Sequence, residues 1–420
     1  MKKTIKLAVV AALALGATSA FATNGDTMIG LGAKARGMAG VGIGMSHGAE
    51  SALTNPALIT TIKKDHEISF GGTVFMPDVK ATMGAAPEKS SAADMNVIPE
   101  VSLANKVNDN FYWGIGMWGT AGMGTDYRDA STSARDSGNM KMVTNLQLMQ
   151  FGVPLAYTTN GFSVAVTPIL QYGALDINYN DFSGSTVGSG VAQDLAFGYN
   201  LGLAYTMSGI TIGAVYKSSI EMDYKYQLST ATSPFVTMGI FPAAMGDKLE
   251  QPAEIGVGAS YAMGEHTIAI DYKQIQWSDA KGYKDFNWDD QNVVAIGYEY
   301  ATKGWAVRLG YNYASQPIKE MQSGPAVIPA GSYAQAGGNA INTFNLLGFP
   351  ATVESHYAIG GTYELSDAMS IDGAFTYAPE TTTTMKGLVG FNSGTGDLYT
   401  GDITVKHSQT GVSVQLNYDF

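Results

Sequence analysis

Cysteine is absent from the 420-residue chain. No disulfide staples it, and no thiolate serves as nucleophile or metal ligand. Charge is scarce: Asp, Glu, Lys and Arg make up 14% of the residues, against ~25% in a typical soluble protein. What charge there is runs acidic, 36 acidic against 24 basic residues, which argues against a nucleic-acid partner. After residue 22 no apolar run approaches the ~18 residues of a membrane-spanning helix. The five histidines (47, 66, 266, 356 and 407) are scattered without metal-ligand spacing, so no metal is expected. Gly-x-Ser-x-Gly is missing; neither catalysis nor a cofactor is expected.

Residues 1–22 carry an export pattern. Lys2, Lys3 and Lys6 precede an apolar run from Leu7 to Ala17, and Ala20 to Ala22 make a small-x-small cleavage site. The run is too short to span a membrane as a helix. Removing it takes away three basic residues and no acidic ones, leaving 21 basic against 36 acidic and a net charge of −15. No cysteine follows it to take a lipid. Disulfides would be permitted after export, yet none can form.

The remainder reads as strands. In the closing stretch Val412, Val414, Leu416, Tyr418 and Phe420 alternate with Ser413, Gln415, Asn417 and Asp419, a period of two with one apolar face. The same alternation appears at Ile255–Tyr261, Ile268–Tyr272, Trp305–Tyr313 and Met369–Tyr377. About fourteen strands are predicted: 65–80, 96–107, 110–121, 142–158, 161–181, 193–206, 210–226, 251–262, 266–277, 291–301, 304–317, 354–365, 368–384 and 402–420. Six connections are tight and rich in Asn, Gly or Asp, at 108–110, 159–161, 207–209, 263–266, 302–304 and 365–367. The other seven are long: 81–95, 122–141, 182–192, 227–250, 278–290, 318–353 and 385–401. Short and long connections alternate without a slip. A soluble sandwich has no reason to sort its loops by side, whereas an outer-membrane barrel has short periplasmic turns and long outside loops. The fold expected is therefore all-β, a transmembrane antiparallel barrel of about fourteen strands in a bacterial outer membrane, with both termini in the periplasm. Trp113, Tyr157, Tyr205, Tyr261, Tyr300 and Trp305 flank the short turns, as an interfacial aromatic belt requires. An alternating strand ending on Phe420 resembles the signal read by the barrel assembly machinery, which makes that machinery a partner. Membrane lipid and lipopolysaccharide surround such a barrel, and closure leaves no edge that needs a second copy, so a monomer is expected.

Residues 23–62 do not alternate. The stretch from Arg36 to Leu58, "RGMAGVGIGMSHGAESALTNPAL", invites a nucleotide reading. Gly40, Gly42 and Gly44 are spaced G-x-G-x-G, no strand precedes them, and no GK[ST] follows, so both dinucleotide and P-loop patterns fail. A fourteen-strand lumen is too wide for wall side chains to fill. This small-residue segment either folds inward as a plug or stays outside as an arm, and composition leaves both open. A short helix at Ser51–Leu53 would end at Asn55, which Pro56 biases away from αR.

The chain is similar to the FadL/TodX family of outer-membrane transporters. The resemblance rests on "GLGAKARGMAGVGIG…ALTNPALI", on Glu100 to Tyr127, on "IDYKQIQWSD" (Ile270 to Asp279), on Trp305 to Ile318 and on His356 to Tyr377. It implies a fourteen-strand barrel (63–420) plugged by an N-terminal hatch (23–62) whose Asn-Pro-Ala motif is Asn55, Pro56 and Ala57. It implies diffusive uptake of long-chain fatty acids, or of aromatic hydrocarbons by the same route, with lateral exit at a kink in the third strand. Gly114, Gly116, Gly119, Gly122 and Gly124 crowd that strand, and strand glycines mark bends. Two outside loops would capture ligand: Phe235, Val236, Met238, Ile240 and Phe241 in one, Phe344, Leu347 and Phe349 in the other. The family's groove uses two long loops, and here the loop between strands five and six has only about 11 residues, so 318–353 is the substitute. Alternation places Lys217, Asp271, Lys273 and Arg308 in the lumen, near mid-wall for the two lysines. They either meet a fatty-acid carboxylate or pair with lumen acids. Two other classes compete. A barrel hydrolase needs Asp/His or Ser/His pairs at the outer rim, and an open diffusion porin needs no hatch.

Overall fold

The computed structural model describes residues 23–128 and 140–420. The expected export segment 1–22 and part of the 122–141 loop lie outside these residues. Among them fourteen long strands form one closed antiparallel wall. They are β1 (His66–Met83), β2 (Asn96–Lys106), β3 (Phe111–Asp126), β4 (Val143–Gly152 continued by Leu155–Thr159), β5 (Phe162–Asn180), β6 (Ala192–Met207), β7 (Ile210–Lys217), β8 (Glu254–Met263), β9 (His266–Ile275), β10 (Gln291–Thr302), β11 (Trp305–Ala314), β12 (Ser355–Ser366), β13 (Met369–Asn392) and β14 (Asp397–Asp419). Each pairs with the next in sequence. β14 then returns to β1, Asp419 opposite Glu67 through Ile403 opposite Met83, and the ring closes. This is the architecture and the strand number that the alternation predicts.

The pattern of burial follows the sequence period. In β14 Val412, Val414, Leu416 and Tyr418 face outward and are exposed, while Ser413, Gln415 and Asn417 are buried inside. Closure pairs every strand, the condition for placing backbone in hydrocarbon. The tight turns hold their residues at positive φ, Asn160 and Gly161 at 50° and 80°, Ser208 and Gly209 at 52° and 83°. That is the backbone of two-residue turns whose twist matches the strands they join. β4 breaks at Val153–Pro154, where proline has no N–H to give the ladder.

Several strand boundaries differ from the sequence reading; β3, expected to end at 121, runs to Asp126. The region 385–401 is not a loop: β13 and β14 run 24 and 23 residues and turn only at 393–396. Outward-facing apolar residues end near Tyr377 and Val412. Beyond them the inward positions become apolar instead: Met385, Leu388, Ile403 and Val405 are buried. They pack on a helix rather than on lipid, so the lipid-facing pattern stops while the strand goes on. The seventh strand ends at Lys217, not at residue 226. Ile220–Asp223 turn inward and pair with Lys248–Gln251 in a separate two-stranded sheet. The long connections 227–250 and 318–353 carry helices, which their glycine and proline content hides from a periodicity reading.

Residues 24–62 lie inside the ring, almost all of them buried. Thr23–Asn24 and Thr27–Met28 pair as a small hairpin. Then come α1 (Ala33–Gly37), α2 (Ser51–Thr54) and a 3-10 turn at Pro56–Thr61. α2 ends as expected at Asn55, whose φ of −138° and ψ of 98° is the extended form that a following proline imposes. The segment meets the wall backbone to backbone. A Cβ at Gly44 would overlap Gly258 and Ala259 of β8, and one at Gly310 of β11 would overlap Met38 and Ala39. At the end carrying the long loops, α3 (Leu228–Thr237) and α4 (Gly337–Gly348) cross the opening.

Candidate functional site

"GVGIG" does cradle an anion, and the anion belongs to the wall. The Asp271 carboxylate of β9 accepts the backbone N–H groups of Gly42 (2.7 Å), Ile43 (2.8 Å) and Gly44 (3.2 Å). Successive backbone N–H groups make such a nest, and glycines let the wall come close enough to fill it. Asp271 therefore holds the N-terminal segment. Asn55 is fully buried; its Nδ2 donates to the carbonyls of Ile43 (2.7 Å) and Leu203 (3.1 Å), and its Oδ1 accepts from Ala57 N (3.2 Å). Pro56 and Ala57 lie against Gly202 of β6, whose missing side chain makes the room. The Asn-Pro-Ala corner is thus pinned to the wall between β6 and β7.

Buried charges hold the opposite side. Arg36 of α1 pairs with Glu100 of β2 and donates to Thr73, and Glu100 also accepts from Gly32 N. Lys34 lies between Glu50 (3.7 Å) and Asp372 (3.8 Å). Ala49 N donates to Glu67 (2.9 Å).

β2 and β3 separate above this anchor. Their ladder runs from Lys106 opposite Tyr112 to Glu100 opposite Trp118 and stops. The register against β4 shifts between Gly119 and Ala121, and every residue from Trp118 to Thr125 is buried on both faces of the strand. The upper part of β3 has therefore parted from β2 and bent inward, while keeping its ladder to β4 as far as Asp126 opposite Val143. Gly114 and Gly116, expected at the kink, sit in regular ladder; there the glycines make room for Leu103 and for the Trp118 indole. The bend centres on Gly119, with Gly122 just inside it. The N-terminal hairpin occupies the space: Thr27 bridges Ala121, and Gly122 N donates to the Asp26 carbonyl (3.0 Å). The Asp26 carboxyl, bonded to Tyr283 and Gln251, is pushed up to about 6 by burial.

Beside this interruption lies an internal cavity lined by Thr27 to Leu31, Thr120, Ala121, Lys217, Glu254 and Lys273. Its volume is about 70 Å³, against ~300–1,000 Å³ for sites that enclose drug-sized ligands. In this conformation it is shut. Lys217 and Lys273 share the Glu254 carboxylate at 3.4 and 3.1 Å. They stand near the long-loop ends of β7 and β9, with Lys217 opposite Asn200 halfway along β6. Thr120 Oγ1, Gln251 Oε1 and Asn312 Oδ1 are buried there without a hydrogen-bond partner among the described residues. Arg308 does not join them. It pairs with Glu299 (2.7 Å) and lies 3.7 Å from Asp372, lining the hollow at the short-turn end with Lys34 and His47. Glu254 went unnoticed in the sequence, although its parity with Gly256 and Gly258 points it inward. Arg36 and Glu100 carried no local signal.

The expected capture residues divide. Phe235, Ile240, Phe344, Leu347 and Phe349 are buried. Phe344 packs against Tyr179 (5.6 Å), Phe235 (5.4 Å) and Phe286 (6.1 Å) between ring centroids, closing the long-loop end. Val236, Met238 and Phe241 remain half-buried. An open apolar groove runs between the two loops, lined by Phe241, Met245, Met321 and Ile341; the 318–353 loop supplies its second side.

Residues 7–338 match the family model described as "Outer membrane protein transport protein (OMPP1/FadL/TodX)". The 47 kDa outer membrane protein of Pasteurella multocida is 25% identical over 394 residues, 82% of this chain and 86% of that one. A long-chain fatty acid transport protein of Escherichia coli O6:H1 is 26% identical over 342 residues, 66% and 76% of the two chains. The crystal structure of a Pseudomonas aeruginosa FadL homologue superposes with a TM-score of 0.70 at 16% identity, over 94% of this chain and 100% of that one. The Pseudomonas putida toluene transporter TodX gives 0.66 at 17%, over 93% and 99%. At these identities the structures establish the fold.

Proposed function

The chain belongs to the OMPP1/FadL/TodX family of outer membrane transport proteins for hydrophobic substrates, and from that membership we propose that it carries long-chain fatty acids inward by diffusion. The observation that carries the reading is the shut cavity holding Lys217 and Lys273 beside the opened β2–β3 ladder. Fatty acid collects in the apolar groove between the outside loops, where methionine suits varied chains. It passes the aromatic closure at Phe344 and presents its carboxylate to the two lysines, which exchange Glu254 for it. Residues 23–62 act as the hatch. When Thr23–Leu31 withdraw, the chain leaves sideways between β2 and β3. Short turns and both termini face the periplasm in this arrangement. An export signal at 1–22 and assembly through the Phe420 strand complete it, as a monomer surrounded by lipid and lipopolysaccharide.

The exit is testable because the chain has no cysteine of its own. A Cβ at Gly119 would stand 3.8 Å from Ile98 Cβ, the mean separation of ~3.8 Å in a disulfide. Oxidised Ile98→Cys/Gly119→Cys protein is expected to lose labelled-oleate uptake and to regain it on reduction. Uptake that survives complete oxidation rules out the β2–β3 exit.

The cations separate the substrate classes. Lys217→Met/Lys273→Met/Glu254→Gln removes the triad without stranding a charge. Oleate binding is expected to weaken about tenfold, since hydrogen bonds to charged groups contribute roughly 1.5–3 kcal/mol, while toluene uptake stays level. Oleate binding left unchanged, or loss of toluene alone, shifts the substrate class to aromatic hydrocarbons.

A further inference from the structure

The wall is interrupted a second time. β6 and β7 pair from Met207 opposite Ile210 to Asn200 opposite Lys217, and there the ladder ends. β6 continues to Ala192, bonded to β5 on its other side along its whole upper length. On the β7 side Ala192–Gly198 carry no backbone ladder among the described residues: Ile220–Asp223 lie alongside them but pair instead with Lys248–Gln251. Few bonds cross the seam. Ser218 N donates to Tyr199 O (2.9 Å), Tyr199 N to Ser218 Oγ (2.9 Å), and Asp223 N to Asp194 Oδ2 (2.7 Å).

One side chain fills the opening. Gly198 is the inward residue of β6 at this height, and a Cβ there would fall 2.5 Å from Ile220 Cγ1. Ile220, Ser218 and Asn200 also line the internal cavity, together with Lys217 and Lys273. That single cavity therefore touches both interruptions, at Thr120 and Ala121 on one side and at Ser218 and Ile220 on the other. Outside the seam the surface is apolar: Phe197 is 82% exposed, and Leu195 and Val191 are exposed beside it. The seam begins just above the Tyr199–Tyr216 ring pair, centroids 6.1 Å apart, at the outer end of β7. Placement near that end is physically consistent, since backbone at an open edge needs polar partners, and Ser218 and Asp194 supply two of them.

We propose that the β6–β7 seam is a second lateral mouth, closed by Ile220, through which a single-chain amphiphile dissolved in the outer leaflet reaches the cavity. This rests on the transport reading and its orientation. The polar head meets Lys217 on passing, while the acyl chain slides along Phe197 and Leu195. Amphiphile already in the membrane thereby avoids the loop groove and the aromatic closure.

Gly198→Cys/Ser218→Cys staples the seam. A Cβ at Gly198 lies 2.9 Å from Ser218 Oγ, close to the ~3 Å between one Cβ and the partner's sulfur in a disulfide. Oleate is supplied either preloaded in the outer leaflet of proteoliposomes or from albumin in water. Oxidation is expected to slow transfer of the preloaded oleate about tenfold, a barrier rise of ~1.4 kcal/mol, to leave albumin-delivered oleate unchanged, and to reverse on reduction. Ile220→Trp should reproduce the slowing without a disulfide, and Ile220→Ala should speed the preloaded route. Preloaded transfer unchanged both in the fully oxidised pair and in Ile220→Trp overturns the second mouth. If the Ile98→Cys/Gly119→Cys staple still stops oleate in the same preparation, the transport reading stands without it. If neither staple slows either supply, both fall.

Discussion

Deleting residues 23–62 while keeping residues 1–22 is expected to turn a closed channel into an ion-conducting one. The wall residues facing that segment are small or polar: Gly202, Gly213, Gly256, Gly258, Gly297 and Gly310 all meet it, and Asp271 and Glu100 are buried only because it is there. Without it those positions line water, and a fourteen-strand ring has no side chains long enough to close across itself. Conductance in planar bilayers should rise on the order of tenfold or more above baseline. Heat-modifiable migration in gels would check that the ring still forms. A folded ring at baseline conductance means the segment is not the plug.

The second large effect concerns Arg36. Its guanidinium and the Glu100 carboxylate are both almost wholly buried, and Glu100 also receives Gly32 N. Arg36→Met leaves a carboxylate in a dry site, and removing one partner of such a pair costs roughly 3–5 kcal/mol. Arg36→Met/Glu100→Gln replaces the pair with neutral groups and should recover most of that loss. Thermal unfolding in detergent reads the stability, and entry of large antibiotics into cells reads the seal. Glu100 is also the last β2 residue paired with β3, so Arg36→Met should increase leakage more than its loss of stability alone would. Equal behaviour of the single and double variants would show that no buried charge is at stake.

The wall was legible because each strand writes its orientation in its own residues. Val412 to Phe420 alternate regardless of what they pair with, and Asn160-Gly161 turns tightly wherever it occurs. The interior was less legible because its contacts join residues far apart in the chain. Nothing near Asp271 says that its carboxylate receives Gly42–Gly44, and nothing near Arg36 names Glu100. The glycines of β3 were visible as a group. Which of them bends depended on where the ladder to β2 gives out, a property of two strands rather than one. Phe235 and Phe344 looked like an exposed apolar surface because a loop reading leaves them in water. The helices beneath them pack them on each other. Ile220, Met222 and Tyr224 alternate as a wall strand would, and only the pairing of Lys248–Gln251 with them shows that they are not one.

The backbone-to-backbone fit between segment and wall has a mechanical consequence. Side chains at an interface adjust by changing rotamer, whereas two backbones in contact have nothing to fold away. Gly37 lies on Gly360 of β12, Gly44 on Gly258 and Ala259 of β8, and Gly310 of β11 on Met38 and Ala39. These contacts span the arc of wall from β8 to β12 and act as keys in keyways. Rotation of residues 37–44 about the barrel axis, or their withdrawal along it, meets backbone on several sides at once. Thr23–Leu31 have fewer such keys: one ladder bridge and one backbone hydrogen bond to β3, with the Asp26 carboxyl held by Gln251 and Tyr283. Should the segment open as proposed, the contacts favour a peeling that starts at Thr23 and stops near Gly37, with the remainder staying seated as a bearing.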